Sequence, residues 1–374
     1  MKVQLLDLSG QYRKIRSELL AEVKKVCDSG HFILGKNVSG LEAEVAAYCG
    51  AKYGIGVASG TDALLLALMA ADVKSGDKVV TTPFTFFATA GSIARLGAVP
   101  VFVDIDPATF NLDPDALDAL LKKSGRGVKA VIPIHLYGQC ADMARINRTA
   151  KKYGIKVIED AAQSIGAEYN GVRAGSLGQT ACLSFYPTKN LGGIGDGGMI
   201  TTDNEKVAER LRMLRVHGSR VRYYHDEVGV NSRLDEIQAA ALRVKLKYLD
   251  AWAAGRVKNA ARYDALFAKA GAGRFVTPPF IAPGCCSVYN QYVIRAKDRD
   301  ALRAHLSSVG VGSEIYYPVP LHLQKCFKYL GYKKGAFPAS EKAAKEVLAL
   351  PIYPELKPAE QKYVVDSIAG FYAR

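Results

Sequence analysis

Residues 184–202 read SFYPTKNLGGIGDGGMITT, so a single lysine, Lys189, stands between an apolar strand and a run of five glycines. Such a lysine is a solvated charge, a phosphate ligand or a nucleophile. The glycines do not follow the GxxxxGK[ST] pattern, which excludes a P-loop NTPase. A lysine reacts as a nucleophile only when its amine is deprotonated, and burial favours that state. The rest of the sequence has to decide between these roles.

The lysine stretch lies at the end of a regular alternation that fills residues 50–205. Short apolar strands with helix-like segments between them predict βαβ units and a mostly parallel sheet with both faces covered. The strands are read in the segments YGIGVAS, KVVTTP, VPVFVDI, KAVIPIH, IKVIED, ACLSFY and GGMITT. The predicted fold class is therefore α/β, with this sheet in a large domain.

The second half of the chain follows a different pattern. Residues 232–271 have apolar positions at helical spacing and predict one long helical region that leads out of the large domain. Strands and helices then follow in mixed order, which indicates a smaller α/β domain. We predict a large domain over residues 1–250 and a small C-terminal domain over residues 251–374.

The bulk composition excludes several classes of protein. No apolar run is long enough to span a bilayer and no signal peptide precedes the first helix-like segment, which predicts a cytoplasmic protein without a membrane partner. The seven cysteines lack ligand spacing, so we expect reduced thiols that pack as small core side chains, and no metal site. The net charge of +14 is spread along the chain, which disfavours nucleic acid and suits small phosphate-bearing molecules.

The ends of the predicted strands carry candidate ligand groups, because open α/β sheets bind ligands beyond the carboxyl ends of their strands. Gly60 and Thr61 begin a helix and could hold an anion, although the same sequence is also an ordinary helix cap. The aromatic run FTFF follows another strand and is either core or a cover for a planar ligand. Asp160 and Gln163 follow a third strand, where the carboxylate either pairs with a cation or caps a helix.

Taken together, these groups match the needs of pyridoxal 5′-phosphate. Lys189 would form a Schiff base with the cofactor, and Asp160 would keep the pyridine nitrogen protonated, which makes the ring an electron sink. The helix N-terminus would hold the phosphate. The joint occurrence of all these features along one chain favours the nucleophile among the three roles of Lys189.

The same segments resemble a known family, the DegT/DnrJ/StrS group of sugar aminotransferases, and the likeness runs nearly end to end. These are fold-type I enzymes, with a seven-stranded-type sheet in the large domain, that act with pyridoxal phosphate on nucleotide-linked keto sugars. The motifs that carry the resemblance are SGTDALLLAL, PFTFFATAGSIARLGAVPVFVDIDPATFNLDP, IPIHLYGQCADM, IEDAAQSIGAEYNG, SFYPTKNLGGIGDGGMITT, VGVNSRLDEIQAA and YYPVPLHLQ.

The resemblance implies roles for individual residues around the cofactor ring. Lys189 would hold the cofactor and move the proton, and Asp160 would pair with the pyridine nitrogen. Gln163 would hydrogen-bond the phenolic oxygen. Phe86 would stack on the ring, which leaves Phe84 and Phe87 as core residues.

The phosphate ligands implied by the resemblance come from two subunits. Gly60, Thr61 and Ser184 would hold the phosphate within one chain, and Asn231 would reach it from the neighbouring subunit. The resemblance therefore implies a homodimer with shared active sites. It also implies L-glutamate as the amino donor and a pyridoxamine 5′-phosphate form during turnover.

Relatives that deoxygenate sugars have histidine in place of Lys189, so this chain resembles the aminating branch. The segment RVHGSRVRYYHDEVGVNSRLDE is closer to enzymes that aminate 3-keto sugars, which supply lipopolysaccharide or other surface polysaccharides. Arg220, Arg222, Tyr317 and His322 are then candidates for gripping the diphosphate or the sugar. The alternative is that the arginines are solvated and the histidine is simply packed.

Two other functions remain open from the sequence. One keeps the cofactor but aminates a 4-keto sugar or a cyclitol. The other is a non-catalytic binding or regulatory protein on the same fold, which the intact set of Lys189, Asp160 and Gln163 disfavours.

Overall fold

A computed structural model describes residues 1–373 of the chain. Within these residues the strands are β1 (Tyr53–Val57), β2 (Lys78–Thr81), β3 (Val99–Phe102), β4 (Val128–Val131), β5 (Lys156–Asp160), β6 (Glu168–Tyr169), β7 (Val172–Arg173), β8 (Thr180–Ser184), β9 (Gly198–Thr202), β10 (Ser219–Val221), β11 (Tyr224–His225), β12 (Val276–Thr277), β13 (Cys285–Cys286), β14 (Tyr292–Ala296) and β15 (Val347–Leu350).

The helices of the same residues begin before the first strand and continue to the end of the described chain. They are α1 (Leu8–Ser29), α2 (Lys36–Cys49), α3 (Gly60–Ala70), α4 (Phe87–Arg95), α5 (Pro114–Ser124), α6 (Met143–Tyr153), α7 (Glu205–Leu214), α8 (Glu236–Leu246), α9 (Leu249–Lys269), α10 (Arg299–Ser308), α11 (Pro338–Glu346) and α12 (Pro358–Tyr372). Short 3₁₀ turns occupy Leu136–Gly138, Ala272–Arg274, Leu321–Leu323 and Lys325–Leu330.

A seven-stranded sheet forms the centre of the molecule, in the order β1-β9-β8-β5-β4-β2-β3. Strand β9 runs antiparallel to both of its neighbours, and the other pairs are parallel. The strands are buried almost throughout, because helices cover both faces. All seven strands that the sequence predicted are present, and the predicted α/β sheet is confirmed.

Helix α3 shows why the helices and strands of this unit pack so closely. It is apolar around nearly its whole circumference, and Ala63 to Leu68 are all buried. Ser59 caps its first turn by accepting the amide of Asp62 at 3.1 Å. The cap fixes the point at which the chain leaves β1 and turns into the helix, at the carboxyl edge of the sheet.

The long helical region predicted over residues 232–271 is present as two helices, α8 and α9. A turn at Lys247 and Tyr248 separates the two helices, and the ring of Tyr248 stacks on that of Trp252 at 5.8 Å. Glu18 of α1 holds the junction by accepting from the side chains of Lys247 at 2.7 Å and Tyr248 at 2.9 Å. This contact is distant in sequence, which is why helical periodicity alone does not reveal the break.

The C-terminal part has its own sheet and its own core. Strands β12, β14 and β15 form an antiparallel sheet against α9, α10 and α12. Val3, from the start of the chain, belongs to this core and exchanges backbone hydrogen bonds with Gly310 and Gly312 at 2.9 Å and 2.8 Å. The domain boundary at residue 250 stays a prediction, since α9 begins there but the core behind it draws on both ends of the chain.

The cysteines divide into two groups, which corrects the expectation that all of them pack in the core. Cys49, Cys140 and Cys182 are buried, as small apolar side chains are, whereas Cys27, Cys286 and Cys326 are exposed and Cys285 is half-buried. All seven are free thiols.

None of the helices in residues 1–373 combines the length and the apolar character needed to cross a membrane.

Candidate active site

The candidate site forms where the carboxyl ends of several central strands meet. Strand β5 ends at Asp160 and β8 ends at Ser184, and these two strands are neighbours in parallel pairing. Strand β1 leads into Gly60 on the other side of Ser184. Parallel pairing brings residues that are far apart in sequence to one edge of the sheet.

Lys189 lies five residues beyond the end of β8 and is half-buried. Its backbone amide donates to the carbonyl of Tyr186 at 2.8 Å, which closes a turn around it. Burial lowers the pKa of Lys189 to about 8, and the negative charge of Asp160 opposes that fall. A much larger fraction of this amine is therefore unprotonated near neutral pH than for a surface lysine, as a nucleophile requires.

Asp160 is only 6% exposed and sits at the tip of β5. Its oxygens accept from the hydroxyl of Thr89 at 2.7 Å and from the amide of Ala162 at 3.3 Å. Burial raises the pKa of Asp160, and these two donors together with the charge of Lys189 oppose that rise. No basic side chain in residues 1–373 lies within 4.0 Å of the carboxylate, so this buried acid lacks the cationic partner that such groups normally have.

Gln163 is buried one turn beyond Asp160 and bridges two aromatic residues. Its Oε1 accepts the backbone amide of Tyr137 at 2.7 Å, and its Nε2 donates to the hydroxyl of Tyr317 at 3.1 Å. Burial raises the pKa of the Tyr317 phenol, which stays protonated at neutral pH. The structure therefore places Tyr317 in direct contact with the predicted cofactor site.

The aromatic run after β2 separates into three environments. Phe84 is buried in the core, as predicted, and Phe86 is 57% exposed with its ring 6.1 Å from that of Tyr317. Phe87 was predicted to be core, but it is 47% exposed and stacks on Phe327 at 5.6 Å. It is the first residue of α4, and the other residues of that turn, Ala88 to Ala90, are buried. An exposed ring at a strand end is free to cover a flat ligand.

The start of α3 forms a narrow anion cradle against the end of β8. Ser59 binds the amide of Asp62, which leaves the first helical amides, those of Gly60 and Thr61, for an outside acceptor. A Cβ atom added at Gly60 would lie 2.7 Å from the Cβ of Ser184. Only glycine permits this approach, so backbone amides and a serine hydroxyl converge on one spot.

These residues fit pyridoxal phosphate. The cradle at Gly60 suits a phosphate, and the buried Asp160 without a cation suits the protonated nitrogen of a pyridine ring. Lys189 supplies the amine of lowered pKa that a Schiff base needs.

Asn231, predicted to serve the partner's site, lies on the exposed side of the segment that pairs with Val216. Its neighbour Ser232 is buried and turns inward. The hydroxyl of Ser232 accepts the amide of Ala58 at 3.1 Å and donates to Asp62 at 2.8 Å. The segment is thus tied to the anion cradle of its own chain while Asn231 faces away from it.

Arg220 and Arg222 lie on or beside the β10–β11 hairpin and are exposed. Arg220 pairs with Asp226 at 3.1 Å, and the guanidinium of Arg222 lies over the ring of Tyr223. The structure does not bring either arginine to Lys189 within this chain.

His322 is 2% exposed, and its Nε2 hydrogen-bonds Glu341 at 3.1 Å. Its ring packs edge-on against Phe337 at 4.8 Å, and burial lowers its pKa, with Glu341 acting against that effect. The contacts match the interpretation of a packed histidine and give no support to a role in gripping substrate.

The sequence analysis did not identify the residues that contact Asp160 and its neighbour Glu159. Thr89, in the first turn of α4, donates to Asp160 at 2.7 Å, and nothing in the local sequence marks it as that donor. Glu159, directly before Asp160, forms a buried pair with His135 at 3.0 Å. A carboxylate inside an apolar strand is itself a sign of such a partner.

The family model described as the DegT/DnrJ/EryC1/StrS aminotransferase family matches residues 13–369. The chain belongs to this family. The predicted family, transaminase chemistry and cofactor are confirmed. This DegT/DnrJ/EryC1/StrS protein is a pyridoxal-phosphate-dependent aminotransferase.

Two sequence relatives and one solved structure illustrate the likeness. A protein of Geobacillus stearothermophilus described as a pleiotropic regulatory protein is 54% identical, with 100% of this chain and 99% of the relative covered. The UDP-2-acetamido-2-deoxy-3-oxo-D-glucuronate aminotransferase of Pseudomonas aeruginosa is 45% identical, with 98% and 100% covered. The crystal structure of S. venezuelae DesV in complex with a ketimine intermediate matches with a TM-score of 0.96 at 40% identity, over 100% of this chain and 99% of that one.

Proposed function

We propose that this aminotransferase moves an amino group from L-glutamate to a nucleotide-linked 3-keto sugar. The observation that carries the proposal is the grouping of Lys189, Asp160 and Gln163 at one edge of the sheet. A relative 45% identical acts, by its name, on a UDP-linked 3-oxo glucuronate.

When bound, the cofactor would supply a carbonyl group that can carry the amino group from donor to acceptor and a ring that serves as an electron sink. In our proposal the amine of Lys189 holds the cofactor and carries the proton between carbon atoms during transfer. Its lowered pKa lets it act as a base at neutral pH. The carboxylate of Asp160 balances the positive charge of the ring nitrogen.

The remaining cofactor ligands follow from the contacts of the site. Gly60, Thr61 and Ser184 would bind the phosphate, because amides and a hydroxyl converge there. Phe86 would cover one face of the ring. The amide of Gln163, which already donates to a phenol, would bind the cofactor's phenolic oxygen.

On the substrate side, Tyr317 is the supported candidate, because its hydroxyl and ring face the same residues that would hold the cofactor. Arg220 and Arg222 are exposed and would meet a diphosphate only across a subunit boundary. We therefore assign them to the neighbouring site rather than to their own.

A homodimer with shared sites is part of the proposal. The hairpin and its flanks expose large apolar side chains, with Val221 at 62%, Tyr223 at 79%, Tyr224 at 72% and Val228 at 91%. Exposed apolar clusters of this kind mark subunit contacts. Asn231 next to them would reach the partner's phosphate.

Mixing subunits tests the sharing directly. Lys189→Ala and Asn231→Ala homodimers should each be nearly inactive, and unfolding and refolding them together should restore about a quarter of wild-type activity, because half of the dimers then hold one complete site of two. Mixtures that stay inactive would contradict a site shared through Asn231.

We place the enzyme in the cytoplasm, where nucleotide sugars are made, and its product in amino-sugar synthesis for lipopolysaccharide or another surface polysaccharide. The half-reaction tests the acceptor. The pyridoxamine form should return to the pyridoxal form, seen by its visible absorbance, when mixed with UDP- or dTDP-linked 3-keto sugars. Recovery only with 4-keto sugars or a cyclitol would replace the proposed acceptor.

A regulatory role is the second candidate, because a relative 54% identical is described as a pleiotropic regulatory protein. The two functions are separated by Lys189→Ala in a strain that lacks the gene. A regulator would still restore the regulated trait, whereas an aminotransferase would restore nothing without Lys189. The complete set of site residues favours the enzyme.

A further inference from the structure

The turn that carries Lys189 is held at its base by backbone contacts. The amide of Gly193 donates to the carbonyl of Phe185 at 2.7 Å, so residues 185–193 form a closed loop with Lys189 near its middle. A loop rich in glycine has many alternative conformations. Something outside the loop has to select the one that presents the lysine to the site.

Lys245, near the end of α8, contacts this loop from below. Its Nζ donates to the carbonyl of Gly192 at 2.6 Å and to that of Gly193 at 3.3 Å. The side chain is buried, with 9% of the residue exposed. The two carbonyls belong to consecutive residues. Because Lys245 binds both of them, it fixes the orientation of the peptide group that joins Gly192 to Gly193.

A second side chain on the same helix holds the next part of the loop. Gln238 lies seven residues before Lys245, two turns earlier on the same face of α8. Its Oε1 accepts the amide of Ile194 at 2.9 Å. A Cβ at Gly193 or Gly195 would come within 2.7 Å or 2.5 Å of this amide group, so the glycines allow the loop to lie directly on α8.

Lys245 has no acidic partner, which makes stability a poor explanation for it. No carboxylate in the described part of the chain lies within ion-pair distance of its Nζ, and burial lowers its pKa to about 8. A buried cation bound only to carbonyls gains less than it loses by leaving water, and an apolar side chain of similar size would pack as well. A methionine at position 245 would fill the same space, but it could not donate the hydrogen bonds that Lys245 makes to Gly192 and Gly193.

We propose that Lys245 is a positioning residue for Lys189: it holds the carbonyls of Gly192 and Gly193 so that the turn presents the catalytic amine to the site. The inference rests on the role given to Lys189 in the proposed function. It explains the glycine run after Lys189 as a contact surface for α8.

The test uses Lys245→Met, which keeps the volume and removes the donors. Hydrogen exchange of the cofactor-free protein should become at least about tenfold faster at the amides of residues 190–195, while global stability in urea stays equal or rises. A purely structural lysine would lower global stability and speed exchange throughout. Unchanged exchange at residues 190–195 would overturn the proposal.

Turnover gives the second readout. In the holoenzyme, Lys245→Met should lower kcat about tenfold or more with little change in the KM for the amino donor, because the donor's own ligands are untouched. Lys245→Gln keeps one neutral donor group, so its kcat should lie between those of the wild type and of Lys245→Met. It also replaces the methionine variant in the test if that variant fails to fold. Equal losses for both variants, or none, would contradict a role through the carbonyls.

Lys247→Met is the matched control. Lys247 lies two residues further along, is exposed and pairs with Glu18 at 2.7 Å. Its replacement should change neither the exchange at residues 190–195 nor kcat. Since the exchange measurement uses no sugar, its outcome stands even if the proposed acceptor is wrong.

Discussion

Two neighbouring carboxylates on β5, Glu159 and Asp160, are both buried but have opposite surroundings. Glu159 points to one face of the sheet and its two oxygens are fully used. Its donors are the ring of His135 at 3.0 Å and the amides of Gly175 at 2.9 Å, Leu177 at 2.7 Å and Gly178 at 2.6 Å. Asp160 points to the other face and accepts one hydroxyl and one amide at 3.3 Å.

The difference shows how burial alone fails to identify a functional acid. A carboxylate whose oxygens are saturated by backbone amides belongs to the scaffold, where it ties β5 to the loop before β8. A carboxylate that is buried, poorly satisfied and without a cation is held ready for a charge that arrives with a ligand. Substitutions of Lys189 and of the two carboxylates test this division.

The largest effect should come from Lys189, which faces Asp160. Lys189→Ala should remove turnover by several orders of magnitude and abolish the visible absorbance of the bound cofactor, because no other amine lies at that position. Lys189→Arg keeps the charge and should be equally inactive. Activity near that of the wild type in either variant would show that the amine is not the nucleophile; circular dichroism checks that the fold is kept.

Asp160→Asn should reduce kcat by about 10² to 10³, since a neutral amide cannot balance the ring nitrogen's charge during transfer. Steady-state kinetics with the amino donor measures this loss. Glu159 lies one residue away on the other face, so Glu159→Gln in the surviving folded fraction should change kcat far less. Similar losses in the two variants would remove the distinction between the two carboxylates.

Glu159→Gln should instead destabilise the protein by about 3 kcal/mol. The amide has only one oxygen to accept from the four donors that the two carboxylate oxygens now satisfy, and the buried pair with His135 is broken. Urea unfolding of the cofactor-free protein measures this. Glu168→Gln is the control: Glu168 pairs loosely with Arg173 at 3.7 Å on the surface, and its loss should cost less than about 1 kcal/mol. If Glu159→Gln lowered the free energy of unfolding by no more than the Glu168 control, the four hydrogen bonds to Glu159 would contribute little to stability.

Asp160→Asn should have the opposite effect on stability and raise it by about 1 kcal/mol in the cofactor-free protein at neutral pH. Its amide can donate to Thr89, whose hydroxyl can turn to the carbonyl of Phe86 at 3.4 Å. A folded pKa raised above 3.8 means that the native state keeps a proton which the unfolded chain has released. The stability of the wild-type protein therefore falls as the pH rises from 3.8 through the higher pKa that Asp160 has in the folded state.

The gain from Asp160→Asn should accordingly be small near pH 3.8, if the protein is still folded there, and fully developed at neutral pH. Unfolding curves of both proteins at several pH values give the difference. An advantage that shrinks with rising pH would show that Asp160 is stabilised, not strained, in its ionised form.

The sequence was sufficient for the parts of the fold that repeat locally. The seven strands are visible in the sequence as apolar runs between helical segments. Asp160 and Lys189 can be placed because Asp160 ends one of these runs and Lys189 lies five residues beyond another. The break at Tyr248 and the exposure of Phe87 were missed, because Glu18 and Phe327, which decide them, lie far away in the chain.

The residues that contact the candidate site residues could not be predicted from the sequence for a similar reason. Nothing local marks Thr89 as the donor to Asp160, or Lys245 as the residue beneath the glycine loop. Each of these contacts joins segments that meet only after the sheet has formed. Residue type and strand position identify the candidate reacting groups, whereas the residues that contact those groups can be found only from tertiary distances.

The bridge from Val3 to Gly310 and Gly312 has a consequence for cutting the protein into pieces. The core behind β14 contains a side chain from the opposite end of the chain, so residues 251–374 expressed alone would carry an uncovered apolar groove. A fused copy of residues 1–7 at a matching loop would be needed to close it. The small unit is continuous in space but not in sequence, and it cannot be transplanted as a single segment.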